Sequence, residues 1–198
     1  MFEHHGDLRA ACDNRRVNPV AEAFTPVIGL PAWNAVVGDL WHVSIEFGEP
    51  ALTVLDVRDA PLHVPGAPPT HVRRPIFVHG QWSLYIASDD FSLMLDGELI
   101  AASTSDSNHL EASLFRVLNG QILQGVEIDQ LSGATDFTFD LGATLRTSIP
   151  VTPESEPREQ WLLSEPDGNW FVVNDKSQYS RHSGRTPPDQ IQWATLHT

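Results

Sequence analysis

An alternation of apolar and polar residues between Val36 and Pro50 is the clearest pattern in the chain. The apolar positions, at every second residue, are Trp41, Val43, Ile45 and Phe47. A period of two is typical of a β-strand with one face buried and the other in contact with solvent. We therefore expect these four side chains in the core, and His42 and Glu46 on the outer, solvated face.

Similar alternations recur along the chain and predict about ten short strands. Turn-forming sequences separate several of them, which indicates hairpins: Asp96-Gly97, Leu141-Gly142 and Pro166-Asp167-Gly168. Gly48-Glu49-Pro50 stands between the first strand and a second apolar alternation at residues 52–57. These two strands are therefore also predicted to form a hairpin.

One segment has the period of a helix instead. Its apolar residues fall on a single helical face: Leu110, Leu114, Val117 and Leu118. Asn108 and Glu111 have the spacing of a capping pair, and Asn119-Gly120 is typical of a left-handed helix end. We expect a helix over about residues 109–119, packed against a sheet.

Together these elements predict an α+β fold that is mostly antiparallel β. The expected architecture is a sandwich or half-open barrel of about ten strands with one short helix packed on it. A length of 198 residues fits one hydrophobic core. We place the single domain at residues 27–180, between a loose N-terminal arm at 1–26 and a polar C-terminal tail at 181–198.

Residues 58–75 contain five prolines and no periodicity, which predicts a long surface loop. The cationic or titratable residues of this loop and of the sequence that follows it are Arg58, His63, His71, Arg73, Arg74 and His79. Arginine side chains bind carboxylates through paired hydrogen bonds, so the cluster is a candidate contact site for a partner's acidic groups or for an anionic ligand. Alternatively, the arginines pair with carboxylates of the chain itself.

The charge balance limits the class of partner. The chain has 26 acidic and 12 basic residues and a net charge of −14. Such a charge repels nucleic acid and favours a basic or neutral protein partner. The alternative is that the charge serves solubility alone.

Motifs for the common chemistries are missing from the sequence. His63, His71 and His79 are eight residues apart, which matches no metal-binding motif, and Cys12 is the single cysteine. There is no G-x-S-x-G sequence and no phosphate-binding glycine loop. We therefore expect no metal, no cofactor and no catalytic residue. No apolar run reaches the ~18 residues of a membrane span and the N-terminus does not resemble a signal peptide, so we expect a cytoplasmic protein without membrane contact.

Several short motifs in this order resemble a family of uncharacterised bacterial cytoplasmic proteins. They are G-L-P-A-W-N from Gly29, G-D-L-W-H-V-S-I-E-F-G-E-P from Gly38, G-Q-W-S-L-Y-I from Gly80, F-T-F-D-L-G-A-T-L from Phe137 and E-Q-W-L-L-S-E-P-D-G-N-W-F-V-V from Glu159. The resemblance covers roughly residues 27–180 and implies no established activity. In its small size, acidity and β content the chain is also similar in character to immunity proteins of bacterial toxin systems.

Two functional hypotheses follow. The first is a non-catalytic binding protein of unknown specificity, with an immunity-like role and a basic protein partner as its most specific form. The second is an enzyme or small-ligand-binding protein with a pocket between sheet and helix, lidded by the segment from Arg58 to His79. A cavity on which histidine and carboxylate side chains converge favours the second hypothesis, and an acidic surface without such a cavity favours the first.

Overall fold

The computed structural model describes residues 18–38, 42–55, 76–88, 90–129, 133–148 and 157–196. The described residues form fourteen strands, all paired in the antiparallel sense. Two large open sheets enclose a common core, so the predicted α+β, sandwich-like class is confirmed.

The helices are α1 (Pro19–Phe24) and α2 (Ser107–Leu118). The strands are β1 (Ala32–Val37), β2 (Val43–Phe47), β3 (Ala51–Val54), β4 (Ile76–His79), β5 (Trp82–Ile86), β6 (Phe91–Leu95), β7 (Glu98–Ala102), β8 (Leu123–Ile128), β9 (Thr135–Phe139), β10 (Ala143–Thr147), β11 (Glu159–Ser164), β12 (Asn169–Asn174), β13 (Gln178–Ser183) and β14 (Ala194–Thr195). A short 3-10 helix covers Pro188–Gln190. The number of strands exceeds the predicted ten because β1, β4, β13 and β14 lie in sequence without a clear alternation.

The strands form three sheets. The seven-stranded sheet has the order β1-β2-β5-β11-β12-β13-β14, the five-stranded sheet has the order β7-β6-β10-β9-β8, and β3 and β4 form a two-stranded sheet. The predicted hairpins at Asp96-Gly97, Leu141-Gly142 and Pro166-Asp167-Gly168 are confirmed, since they join β6 to β7, β9 to β10 and β11 to β12.

The predicted hairpin of the first two strands is wrong. β2 pairs with β1 and β5, and β3 pairs with β4. Phe47 lies opposite Trp82, and Ala51 lies opposite His79, so the β3–β4 pair continues the β2–β5 pair with a shift of one residue. The chain therefore runs on through Gly48 and does not reverse there.

Aromatic side chains from both large sheets and from α1 meet at the centre of the core. The Trp161 ring lies 5.6 Å from the rings of Phe24 and Phe137 and 5.9 Å from the ring of Phe171, measured between centroids. Its indole Nε1 donates a 2.9 Å hydrogen bond to Oγ1 of Thr135 on the opposite sheet. Trp161 thus joins the two sheets through both packing and a buried hydrogen bond.

The first helix was not predicted from the sequence. The side chain of Asn18 caps α1 by accepting a hydrogen bond from the Val20 amide, and Phe24 reaches the aromatic centre. Residues 18–26 therefore do not fit the predicted loose arm. Residues 1–17 lie outside the described part of the chain, and the arm there stays a prediction.

The predicted helix at 109–119 is confirmed as α2, although it begins two residues earlier than expected. The cap is Asp106, whose carboxylate accepts from the amides of Asn108 and His109, and Asn108 itself lies inside the helix. Gly120 has the expected left-handed backbone, with φ of 89°. The helix packs against the edge strands β1 and β7 and closes one side of the core.

The C-terminal region is more ordered than the predicted polar tail. β13 includes residues 181–183, and β14 returns to pair with it. Leu196 is buried in the core cluster, which fixes this return. Among the described residues, no helix is long and apolar enough to cross a lipid bilayer.

Replacing Thr135 by valine tests the hydrogen bond that joins the sheets. Valine keeps the shape and removes the acceptor, which leaves the buried Trp161 N–H unpaired. We expect the free energy of unfolding to fall by about 1–3 kcal/mol, measured by denaturant titration. The matched control is Thr144→Val on the neighbouring strand, at a half-exposed position, where the change should be small. Equal effects at the two positions would contradict the role of the indole bond.

A carboxylate in the β11–β12 turn, Asp167, should make the stability of the fold depend on pH in the acid range. The backbone N–H of Asn169 donates to Oδ1 of Asp167 at 3.0 Å, and this bond, assisted by the Asn169 side-chain amide, lowers the pKa of Asp167. A carboxylate with a lowered folded-state pKa stabilises the fold above its unfolded pKa of about 3.9, and the contribution is lost as pH falls through the folded value. We expect Asp167→Asn to be less stable than the wild type at neutral pH. The difference should disappear on acidification in denaturant titrations at a series of pH values, and a pH-independent difference would refute this account.

Candidate interaction site

The β3–β4 pair, which we call the ribbon (residues 51–54 and 76–79), exposes large apolar side chains. Leu52 lies opposite Val78 and Val54 lies opposite Ile76, so these four residues share one face of the ribbon. Their exposed fractions are 70%, 52%, 54% and 62% in that order. We call these four residues the apolar face. A contiguous exposed patch of this kind is typical of an interaction site.

The opposite face of the ribbon is mixed in character. It carries Phe77, which is 53% exposed, and a cross-strand hydrogen bond between Thr53 Oγ1 and Nε2 of His79 at 2.7 Å. The other ring nitrogen of His79, Nδ1, lies 2.8 Å from the carbonyl oxygen of Gly80 and therefore donates to it. Both nitrogens of His79 are thus engaged within the ribbon, and this histidine supports the pairing of β3 with β4.

The remaining predicted contact residues lie outside the described part of the chain. They are Arg58, His63, His71, Arg73 and Arg74, and they belong to residues 56–75, which connect β3 to β4. Of the segment from Arg58 to His79 that was expected to form a lid, residues 76–79 form strand β4. The predicted loop and the ribbon are therefore related by their order in the sequence, since β3 precedes the loop and β4 follows it.

A buried carboxylate lies where the ribbon leaves the seven-stranded sheet. Glu46 was expected on a solvated face but is only 4% exposed. It accepts hydrogen bonds from the Gly80 amide at 2.8 Å, from the Ser83 hydroxyl, and from the Ser44 hydroxyl at 3.4 Å. Three donors satisfy the carboxylate, so Glu46 acts as an anchor that ties the start of β5 to β2.

Tyr85 completes this polar cluster. Glu46 lies opposite Ser83, and Ser44 lies opposite Tyr85, so the four side chains share the outer face of the sheet. Burial raises the pKa of the Tyr85 hydroxyl, and the nearby negative charge of Glu46 raises it further. The Tyr85 hydroxyl therefore keeps its proton. Sequence reasoning missed the cluster, because polar residues at alternate positions look the same whether their face is solvated or buried.

The backbone is closely packed at the same place. A Cβ atom added to Gly80 would collide with the carbonyl oxygen of Phe47, so only glycine fits there without a shift of the backbone. On the other strand Gly48 has φ of 76°, and its carbonyl accepts a 3.0 Å hydrogen bond from the Trp33 indole. The two glycines and Glu46 therefore lie together where the β2–β5 pair ends and the ribbon begins.

Two cavities of about 420 Å³ each lie away from the ribbon. One lies between β1 and α2 and is lined by Ala35, Val36, Asn108, Glu111, Ala112, Phe115 and Arg116. The other lies on the five-stranded sheet and is lined by Glu127, Ile128, Asp129, Ala134, Asp136 and Arg146. In the second cavity Arg146 forms a bidentate salt bridge with Asp136: Nε donates to Oδ1 at 2.6 Å and Nη2 donates to Oδ2 at 2.5 Å. Neither lining contains a histidine.

The described residues offer no ready metal site. Among them, no three histidine, cysteine, aspartate or glutamate side chains are grouped so that they could hold a metal ion. The acidic cavity on the five-stranded sheet has carboxylates, but the Arg146 guanidinium already neutralises one of them.

The anchor role of Glu46 can be tested with the variant Glu46→Ala. The Gly80 amide and the Ser83 hydroxyl both donate to the same carboxylate oxygen, Oε2, so alanine removes the acceptor of both. We expect a loss of about 1–3 kcal/mol in unfolding free energy and faster hydrogen exchange at the Gly80 amide. Glu98→Ala at an exposed position is the control. Unchanged exchange at Gly80 would rule out the anchor.

Comparison with known proteins finds no matching family model, no matching curated protein and no matching solved structure.

Proposed function

We propose that this chain is a non-catalytic binding protein whose contact surface is the ribbon and whose partner is a basic protein, in a role similar to that of immunity proteins. The observation that carries the proposal is the apolar face. Four large apolar side chains are more than half exposed there, and nothing in the described part of the chain covers them. Surfaces of this kind supply the desolvated centre of protein interfaces.

The charge of the chain supports a basic partner. Against the net charge of −14, the eight ribbon residues carry no acidic or permanently charged side chain. Glu49, two residues before β3, is exposed and puts a negative charge next to this surface. An apolar centre beside a carboxylate, on a chain of net negative charge, fits a partner with an apolar patch and basic surroundings, and the opposite charges accelerate the encounter. Arg58, Arg73 and Arg74 on the connecting segment then contact carboxylates of the same partner.

The small-ligand hypothesis required a cavity that joins histidine and carboxylate side chains. The two described cavities lack histidine, and the buried carboxylate of Glu46 is held by three donors. These observations support binding over catalysis as the proposal. The predicted family and the cytoplasmic location remain predictions beside it.

One ribbon variant and one matched control test the function. The double variant Leu52→Ser and Val78→Ser makes the apolar face polar, and Leu99→Ser is the control at a similarly exposed position, 65%, on the other sheet. Proteins retained by the wild type and by the control, but lost by the ribbon variant, are candidate partners. For a purified partner we expect the ribbon variant to weaken affinity about tenfold or more by calorimetry, because interface centres carry most of the binding energy. Affinity should also fall as salt concentration rises.

Alanine at both Arg73 and Arg74 should weaken the same complex, because the partner's carboxylates would lose their charged donors. Unchanged affinity would remove the connecting segment from the site. A partner that binds the ribbon variant as tightly as it binds the wild type would overturn the ribbon as contact surface.

A further inference from the structure

Among the described residues, the outer edge of β3 is open for pairing with another strand. β2 is flanked by β1 and β5, whereas the one described strand beside β3 is β4. In the described part of the chain, no backbone hydrogen bond reaches β3 from its other side. In an antiparallel pair alternate residues direct their N–H and C=O groups outward, so part of the β3 backbone faces away from β4, with donors and acceptors that no described residue engages.

The sequence of this edge does not oppose such pairing. Natural edge strands are protected by charged side chains, proline or bulges. Ala51–Val54 contains neither charge nor proline, and all four of its residues are exposed. A two-stranded ribbon is also marginally stable in water, so a third strand would stabilise it. Added next to β3, that strand would widen the apolar face and satisfy the outward backbone groups.

Charge decides which strand fits. A second copy of the chain brings another −14 and is repelled, whereas a cationic segment is attracted. Glu49 lies exposed at the start of the β3 edge, where a lysine or arginine of an added strand can pair with it. Side chains of a strand alternate between faces, so the apolar face selects apolar residues at every second position of the added strand.

We propose that the ribbon binds its partner by strand addition: an extended segment of the basic partner, with alternating apolar and cationic residues, pairs with the outer edge of β3. This inference rests on the proposed function and specifies how that same surface is used. Main-chain hydrogen bonds supply affinity, and the apolar face and Glu49 supply selectivity.

The probe for this mode is a short synthetic peptide of alternating valine and lysine, acetylated and amidated, titrated into the full-length protein labelled with ¹⁵N. We expect the largest amide shifts at residues 51–54. Two further peptides carry N-methyl groups at alternate residues, one in each register, and so lose the donors along one edge. One of these two should bind about tenfold more weakly, because several hydrogen bonds are lost.

Matched charge variants locate the site. Glu49→Lys should weaken the valine–lysine peptide several-fold, and Glu98→Lys, which makes the same charge change on β7 of the other sheet, should not. Equal weakening by both variants would mean that only the net charge matters, and this would overturn the inference. Equal binding of the parent and both N-methylated peptides would likewise overturn strand addition.

The remaining outcomes separate the two levels of proposal. If cationic peptides bind but shift amides elsewhere, strand addition at β3 fails and the proposed binding function stands. If no cationic peptide binds anywhere on the protein, strand addition fails, and the proposed function then depends on the ribbon variants alone. Shifts at 51–54 that depend on protein concentration without peptide would assign the edge to a second copy and overturn the cationic partner.

Discussion

The sandwich depends on one buried side chain that lies on one sheet and contacts the other. Trp161 stands on the central strand of the seven-stranded sheet, contacts rings of α1 and of the five-stranded sheet, and places its only polar atom on Thr135. Packing determines where the Trp161 ring lies, and the indole hydrogen bond determines how the ring is oriented. The remaining aliphatic core packs around this centre, between the two sheets.

The outer face of the same seven-stranded sheet is stabilised by a hydrogen-bonded cluster of polar side chains. There a carboxylate, two hydroxyls and a phenol replace apolar packing, and they lie where β2 and β5 give way to the ribbon. Directional hydrogen bonds suit this position better than apolar contacts, since the register of the paired strands shifts by one residue there. Apolar packing therefore stabilises the core face of the sheet, and directional hydrogen bonds stabilise the base of the ribbon.

The period of apolar residues predicted local structure well and strand neighbours poorly. Val43, Ile45 and Phe47 are all fully buried as expected, while Trp41 lies outside the described residues. The β2–β3 hairpin failed because alternation identifies a strand but does not say which strand it pairs with, and the true partner of β3 lies beyond residue 75. Glu46 was misplaced because burial of a second face is a tertiary effect. Helix α1 has six residues, too few to show a helical period.

None of the ribbon residues belongs to the core cluster, and β2 pairs directly with β5 beneath it. The sandwich can therefore keep its architecture while this one excursion changes in length and composition. Substitutions in Ala51–Val54 or Ile76–His79 should therefore leave the folding of the body almost untouched. Gly48 and Gly80, where the chain passes between the sheet and the ribbon, mark the boundary between a part whose side chains are constrained by the core and a part whose side chains are not.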